Sequence, residues 1–183
     1  MKRAKLTPTG EATLGPFFPP RYVDAGANDL TCLEGRQAKG EAIEIRGRIV
    51  QEDGAPLDNL VVEIWQADAQ GIYRHPADPR HAQADPDFLG WGRAATDARG
   101  GYTFRTIQPG APQGRTPHIN FMLMYSGLMR ILKTTMFFRI DSDPVLNLVG
   151  TGKERLIAKE EKPGLYRFDI RLRGEDETPF FDD

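Results

Sequence analysis

The chain has 183 residues, with 24 Lys and Arg against 26 Asp and Glu, a length that fits one domain able to bury a substantial core. No stretch concentrates the basic residues, which excludes the electrostatic footprint of a nucleic-acid or anionic-membrane binder and leaves proteins and small molecules as expected partners. Cys32 stands alone, which excludes an internal disulfide; no segment approaches the roughly 20 apolar residues of a membrane-spanning helix, and Met1 to Pro8 lacks the apolar run of a signal peptide, so a cytoplasmic location is expected.

Residues 1–40 are rich in Gly, Pro and charge around Gly15-Pro16-Phe17-Phe18-Pro19-Pro20. Proline fixes φ and removes a backbone donor, so this segment is neither helix nor central strand. It is expected to run as an extended N-terminal arm, anchored through Phe17, Phe18 and Tyr22 to its own core or to a partner chain. Residues 41–183 are expected to form the folded domain.

From Ile43 the texture changes to short β-type runs between turn residues. Ile43 to Val50 alternates apolar and polar side chains, the period of a half-buried strand, and Asp53-Gly54 then marks a turn. Further strands are expected at Leu60–Trp65, Gly101–Arg105, Ile119–Tyr125 and Met129–Ile140, with short runs at Leu156–Ala158 and Leu165–Leu172. Many short strands with no sustained helical pattern indicate an all-β, antiparallel β-sandwich or barrel with long loops. The loop from Asp68 to Arg99 carries Tyr73, His75, His81 and Trp91, and a loop of that length is usually functional or packed on a partner. At the other end, Phe180 and Phe181 are expected to pin down an acidic tail that would otherwise be solvated.

Only His75, His81 and His118 can serve a histidine-based site. The first two lie among Asp and Pro and read as solvated surface groups. His118 follows Pro117 at the start of an apolar strand, which gives its side chain a defined direction; a core-edge histidine bonded to backbone and a functional one are both open readings. Trp65, Trp91 and Arg93 read as packing anchors rather than as reacting groups.

Trp65-Gln66-Ala67-Asp68-Ala69-Gln70-Gly71-Ile72-Tyr73, Phe88-Leu89-Gly90-Trp91-Gly92-Arg93, Thr106-Ile107-Gln108-Pro109-Gly110 and Pro117-His118-Ile119-Asn120 resemble the intradiol ring-cleavage dioxygenases in order and spacing. Thr13-Leu14-Gly15-Pro16-Phe17, Asp143 to Leu148, Leu156 to Lys159 and Tyr166 to Arg171 extend the resemblance over nearly the whole chain and bring it toward the alpha chains of the protocatechuate 3,4-dioxygenases. The resemblance implies a β-sandwich of the intradiol type. In that family the catalytic chain holds ferric iron, Fe3+, with two tyrosines and two histidines, the latter spaced His-x-His on one strand face; phenolates are hard anionic donors suited to ferric iron.

Taken ligand by ligand, Tyr73 matches the first tyrosine and His118 the first histidine. Asn120 stands at the second histidine position, and Pro109 to Pro117, where the second tyrosine belongs, contains none. The resemblance therefore implies a chain with no catalytic residues and no bound metal, Tyr73, His118 and Asn120 being vestigial ligand positions. Its implied partner is a beta chain of similar fold that holds Fe3+ and acts on an aromatic small molecule and O2. Thr13, Gly15, Pro16 and Phe17 would line that partner's pocket, as would Ser126, where family alpha chains often carry arginine, and Arg130, which could stand in for it toward a substrate carboxylate. Phe17 also departs from the tyrosine common there. Two other readings remain: an independent metalloenzyme in which Tyr73 and His118 recruit His75, His81 or a nearby Asp, and a β-sandwich binding module unconnected with ring cleavage.

Overall fold

The computed structural model describes Phe18, Tyr22, Val23 and residues 26–181. A small hairpin of β1 (Cys32–Leu33) and β2 (Arg36–Gln37) leads into β3 (Ala42–Val50). Ile43, Ile45 and Ile49 of β3 are buried, while Arg46 and Arg48 between them are exposed, as the alternation requires. β4 (Val61–Gln66) follows after the Asp53-Gly54 turn, then β5 (Trp91–Ala95), β6 (Gly101–Ile107), β7 (His118–Met124) and β8 (Leu132–Phe137). A short helix α1 (Pro144–Leu148), then β9 (Lys159–Lys162), β10 (Leu165–Arg167) and β11 (Ile170–Arg171) complete the order.

Two sheets result. One runs β5-β4-β7-β8, antiparallel throughout. In the other, β3 pairs antiparallel with β6 on one side and parallel with β10 and β11 on the other, and β10 pairs antiparallel with β9. The fold is thus a mostly antiparallel β-sandwich with very little helix. The long excursion between β3 and β10 allows their parallel pairing, which a tight hairpin cannot make. Between the sheets, Ile45, Ile49, Phe104 and Ile170 meet Val62, Ile64, Ile119, Phe121 and Leu123 in one buried cluster. Phe121 lies at its centre, its ring centroid 5.2 Å from that of Phe168 and 6.0 Å from that of Tyr102.

Gly47 shows how tightly the sheet is closed. A β-carbon there would meet the Phe168 carbonyl oxygen at 1.8 Å, the same oxygen that accepts the buried Tyr102 hydroxyl at 2.5 Å.

Some elements differ from the sequence expectation. The Asp68–Arg99 segment contains β5, whose Trp-Gly-Arg-Ala-Ala sequence lacks β-branched residues and is strand because it pairs with β4. The strand expected over Met129–Ile140 is confined to Leu132–Phe137, and residues 153–156 form a 3-10 turn before Ile157 makes a single bridge to Phe137. Asp143-Pro144 begins α1, the Asp side chain accepting from Val145 N at 2.9 Å.

The tail is pinned as expected. Phe181 N donates to Lys133 O at 2.8 Å, Thr134 Oγ1 donates to Pro179 O, and Phe180 and Phe181 pack on the two apolar clusters. Residues 26–40 of the expected arm pack on the sandwich, with Leu30 in the main core. Thr13, Gly15, Pro16 and Phe17 lie outside the described residues.

Candidate functional site

The family-like residues converge at the start of β7. Tyr73 is delivered by the turn after β4, which is held by one buried carboxylate. Asp68 Oδ1 accepts Gln70 N and Ile72 N, both at 2.9 Å, and its Oδ2 accepts Asp85 N at 2.9 Å. Gly71, at φ +75°, lets the turn lie against the Ala111 carbonyl, which a β-carbon would meet at 2.1 Å. Beyond the turn, Asp78 accepts Tyr73 N at 3.1 Å and pairs with Arg80, whose Nη2 donates to Gly71 O at 2.7 Å. The hydrogen bond from Arg80 N, ahead of the others, holds the Asp78 carboxyl below its ordinary range.

His118 is buried, and its Nδ1 lies 2.7 Å from Thr116 O. A carbonyl can only accept, so Nδ1 carries the proton and Nε2 has a lone pair. That lone pair receives the Tyr73 hydroxyl at 2.8 Å. Asn120 Nδ2 donates to Trp65 O at 3.3 Å and to Tyr73 Oη at 3.4 Å, while its Oδ1 accepts Thr135 Oγ1 at 3.2 Å. Burial pushes the Tyr73 phenol up and the His118 imidazole down. Both groups are therefore held neutral, the protonation states that this chain of hydrogen bonds uses.

Behind the site, the fully buried Asp143 accepts Arg115 Nε at 2.8 Å, Thr116 N at 3.0 Å and Thr116 Oγ1 at 3.3 Å with one oxygen, and Val145 N with the other. Burial alone would raise its pKa, but these bonds, led by that from Arg115, hold it below the usual carboxylate range. Asp143 fixes the Thr116 carbonyl and hence the tautomer of His118. Among the described residues, Arg115 Nη2 is the buried side-chain nitrogen left without a partner.

A cavity of about 350 Å³ opens in front of Tyr73 and His118, walled by Trp65, Pro79, Arg80 and Pro112. Trp65, 42% exposed, meets Tyr73 edge to face at 5.6 Å. A larger cavity of about 720 Å³ lies along β11 and the tail, but its charges compensate one another, as in the Arg155–Asp176 and Arg167–Asp169 pairs, and none of Tyr73, His118 and Asn120 lines it.

The residues at the site do not fit ferric iron. Tyr73 and His118 supply two donors. Asn120 turns its N–H side toward them, a group that repels a cation, and its oxygen is taken by Thr135. His75 and His81 are both exposed, with ring nitrogens engaged by Ala77 N and the Asp78 carbonyl. Among the described residues no group of three or more His, Cys, Asp or Glu is placed to hold a metal ion.

Ser126 and Arg130 are exposed in the β7–β8 loop, beyond the end of a strand that at about 3.4 Å per residue carries them about 20 Å from His118. They belong to a different part of the surface. Arg115, Thr116, Thr135 and Asp143 were not singled out from the sequence as site residues. Asp143-Pro144, a helix-start signature, was the legible signal among them.

Residues 14–174 match the family model described as Dioxygenase. The chain is 42% identical over 175 residues to the protocatechuate 3,4-dioxygenase beta chain of Burkholderia cepacia, covering 83% of this chain and 74% of that one. It is 33% identical to the alpha chain from the same organism over the full length of both. An intradiol ring-cleavage dioxygenase from Tetranychus urticae shares the fold with a TM-score of 0.60 at 21% identity, over 88% of this chain and 92% of that one. The chain belongs to the intradiol ring-cleaving dioxygenase family.

Proposed function

We propose that this chain is the non-catalytic alpha subunit of a hetero-oligomeric protocatechuate 3,4-dioxygenase, which converts protocatechuate and O2 to 3-carboxy-cis,cis-muconate in the β-ketoadipate pathway of the cytoplasm. The observation that carries the reading is the direction of the Asn120 amide, whose N–H faces Tyr73 where a catalytic chain needs a second imidazole. Identity alone does not separate alpha from beta, since beta is matched more closely and alpha more completely. The donor set does. Fe3+ belongs to the beta partner in this reading, and this chain supplies fold, interface and pocket lining from Thr13, Gly15, Pro16, Phe17, Ser126 and Arg130. The distance of Ser126 and Arg130 from His118 supports a role toward another chain's pocket rather than this one's. Arg130 offers a cation for the substrate carboxylate.

The test is iron content and visible absorption of the chain purified alone and after coexpression with a beta-type chain. The expected result is a colourless chain alone and a complex with a tyrosinate-to-ferric charge-transfer band. An iron-loaded, coloured chain on its own would overturn the reading.

A further inference from the structure

On the outer face of the four-stranded sheet, Glu63 and Trp65 of β4 stand opposite Arg93 and Trp91 of β5 in register. Arg93 is the centre of this row. Its Nε donates to Glu63 Oε1 at 2.7 Å, its Nη2 donates to the same oxygen, and its Nη1 donates to the Tyr22 carbonyl at 2.8 Å. The guanidinium carbon lies 3.8 Å from the Tyr22 ring centroid and 4.8 Å from that of Trp91. Tyr22 in turn stacks on Phe18 at 5.2 Å.

The backbone closes the same contact: Arg93 N donates to Ala27 O at 2.9 Å, and a β-carbon on Gly92 would meet Leu30 Cδ1 at 2.4 Å. With Arg93 and Glu63 side chains only 17% and 10% exposed, this is not an ordinary surface ion pair of negligible effect. Arginine suits the position because one planar group can fork to a carboxylate, bond a carbonyl and stack on aromatic rings at once.

We propose that the Glu63–Arg93 pair is a clamp that gives the N-terminal arm a fixed point of departure, making Arg93 a positioning residue for the partner's substrate pocket. The proposal rests on the alpha-subunit reading. Thr13 lies nine positions before Tyr22, so at about 3.5 Å per residue the segment can reach at most about 30 Å. The partner's pocket must therefore open within that radius of the clamp. Without the clamp the same residues would reach the pocket only as a flexible tether, at lower effective concentration.

The experiment uses the complex with a beta-type chain and compares wild type with Tyr22→Ala, with the neutral pair Glu63→Gln/Arg93→Gln, with Arg93→Lys and with a deletion of residues 1–20. Tyr22→Ala leaves the ion pair intact, and the double variant strands no buried charge. Trypsin cleavage at Lys5 and Arg21 is followed by mass spectrometry, and kcat and KM are measured with protocatechuate. Tyr22→Ala and the double variant are expected to speed cleavage about tenfold or more as the arm opens locally. They should also raise KM toward that of the deletion, without loss of iron from the complex, with Arg93→Lys intermediate.

Unchanged cleavage overturns the clamp. Faster cleavage with wild-type KM, where the deletion raises KM, overturns the positioning role. A deletion that leaves KM unchanged removes the pocket-lining reading instead, while faster cleavage in the variants still supports the clamp.

Discussion

Replacing Tyr73 with Phe isolates the hydrogen bond that joins Tyr73 to His118. His118 is 1% exposed, with Nδ1 committed to Thr116 O and Nε2 accepting only the Tyr73 hydroxyl among the contacts at the site. The substitution strands that acceptor and removes one acceptor from Asn120. A buried polar group left unpaired costs about 1–3 kcal/mol, and because Tyr73 is partly open to the cavity we expect about 2 kcal/mol. Urea denaturation of the chain at pH 7.5, followed by the fluorescence of Trp65 and Trp91, measures it. The pH dependence gives a second reading. Burial holds the His118 pKa below its unfolded value of about 6.5, so the stabilisation it brings is complete above that value and is lost as pH falls through the folded one. Tyr73→Phe keeps this acid loss because His118 stays buried, whereas His118→Phe flattens it. A loss below about 0.5 kcal/mol for Tyr73→Phe would refute the reasoning, since that is the scale of an unremarkable surface change. So would wild-type stability that falls on adding a chelator, because a metal would then be joining the two side chains.

Three further outcomes follow from the same geometry. Asp143→Ala removes the partner of Arg115, the acceptor of Thr116 N and the cap of α1, and is expected to cost about 3 kcal/mol at pH 7, discounted for an Arg115 side chain that is 25% exposed. The carboxyl is held below its ordinary range, so its contribution is present above about pH 4 and the gap to wild type should close as pH falls below that in paired denaturation curves. Asn120→His combined with Pro112→Tyr places two donors beside Tyr73 and His118, Pro112 being part of the cavity wall; a visible iron band absent from both single variants is expected in metal-titration spectra. Deleting residues 1–20 should leave the thermal midpoint of the isolated chain unchanged while lowering kcat/KM of the complex.

The fold was legible because its main signal is periodicity. Ile43, Ile45 and Ile49 alternate with charged or small residues, and in β7 the buried Ile119, Phe121 and Leu123 alternate with the half-buried Asn120 and Met122. β5 was not, because Gly92 and two alanines give it no intrinsic strand preference and its state is set by β4 on one edge and by the Ala27 carbonyl, which accepts Arg93 N. Tyr73, His118 and Asn120 could be placed by resemblance, and the structure brings His118 and Asn120 each within hydrogen-bonding distance of Tyr73. What no local pattern announced was the support around them. Asp143 lies 25 residues beyond His118 in the chain, and the Thr135 hydroxyl that turns the Asn120 amide comes from the neighbouring strand by cross-strand register. Such partners are set by tertiary pairing, which a single sequence does not display.

That support also explains how the fold can do without the cross-link that a metal would provide. A metal ligated by a tyrosine from one loop and histidines from one strand ties the loop to the sheet, and losing it would release the loop unless other bonds hold it. Here the loop is fixed before Tyr73 is reached, by Asp68 on its own turn, by Arg80 on Gly71 O and by the close contact of Gly71 with Ala111. The strand is fixed independently, by its two antiparallel partners β4 and β8 and by Asp143 through Thr116. Tyr73 and His118 therefore meet because two separately rigid elements bring them together, and one hydrogen bond uses both the Tyr73 hydroxyl proton and the His118 Nε2 lone pair. The Asn120 amide then sets the direction of that bond, since its N–H occupies the side of Tyr73 Oη from which a cation would have to approach. The arrangement is closed by donors rather than left open by missing ligands, so restoring a single imidazole at 120 removes the opposing N–H without supplying the fourth donor. For that reason the double substitution, and neither single one, is the change that tests whether the site can hold iron again.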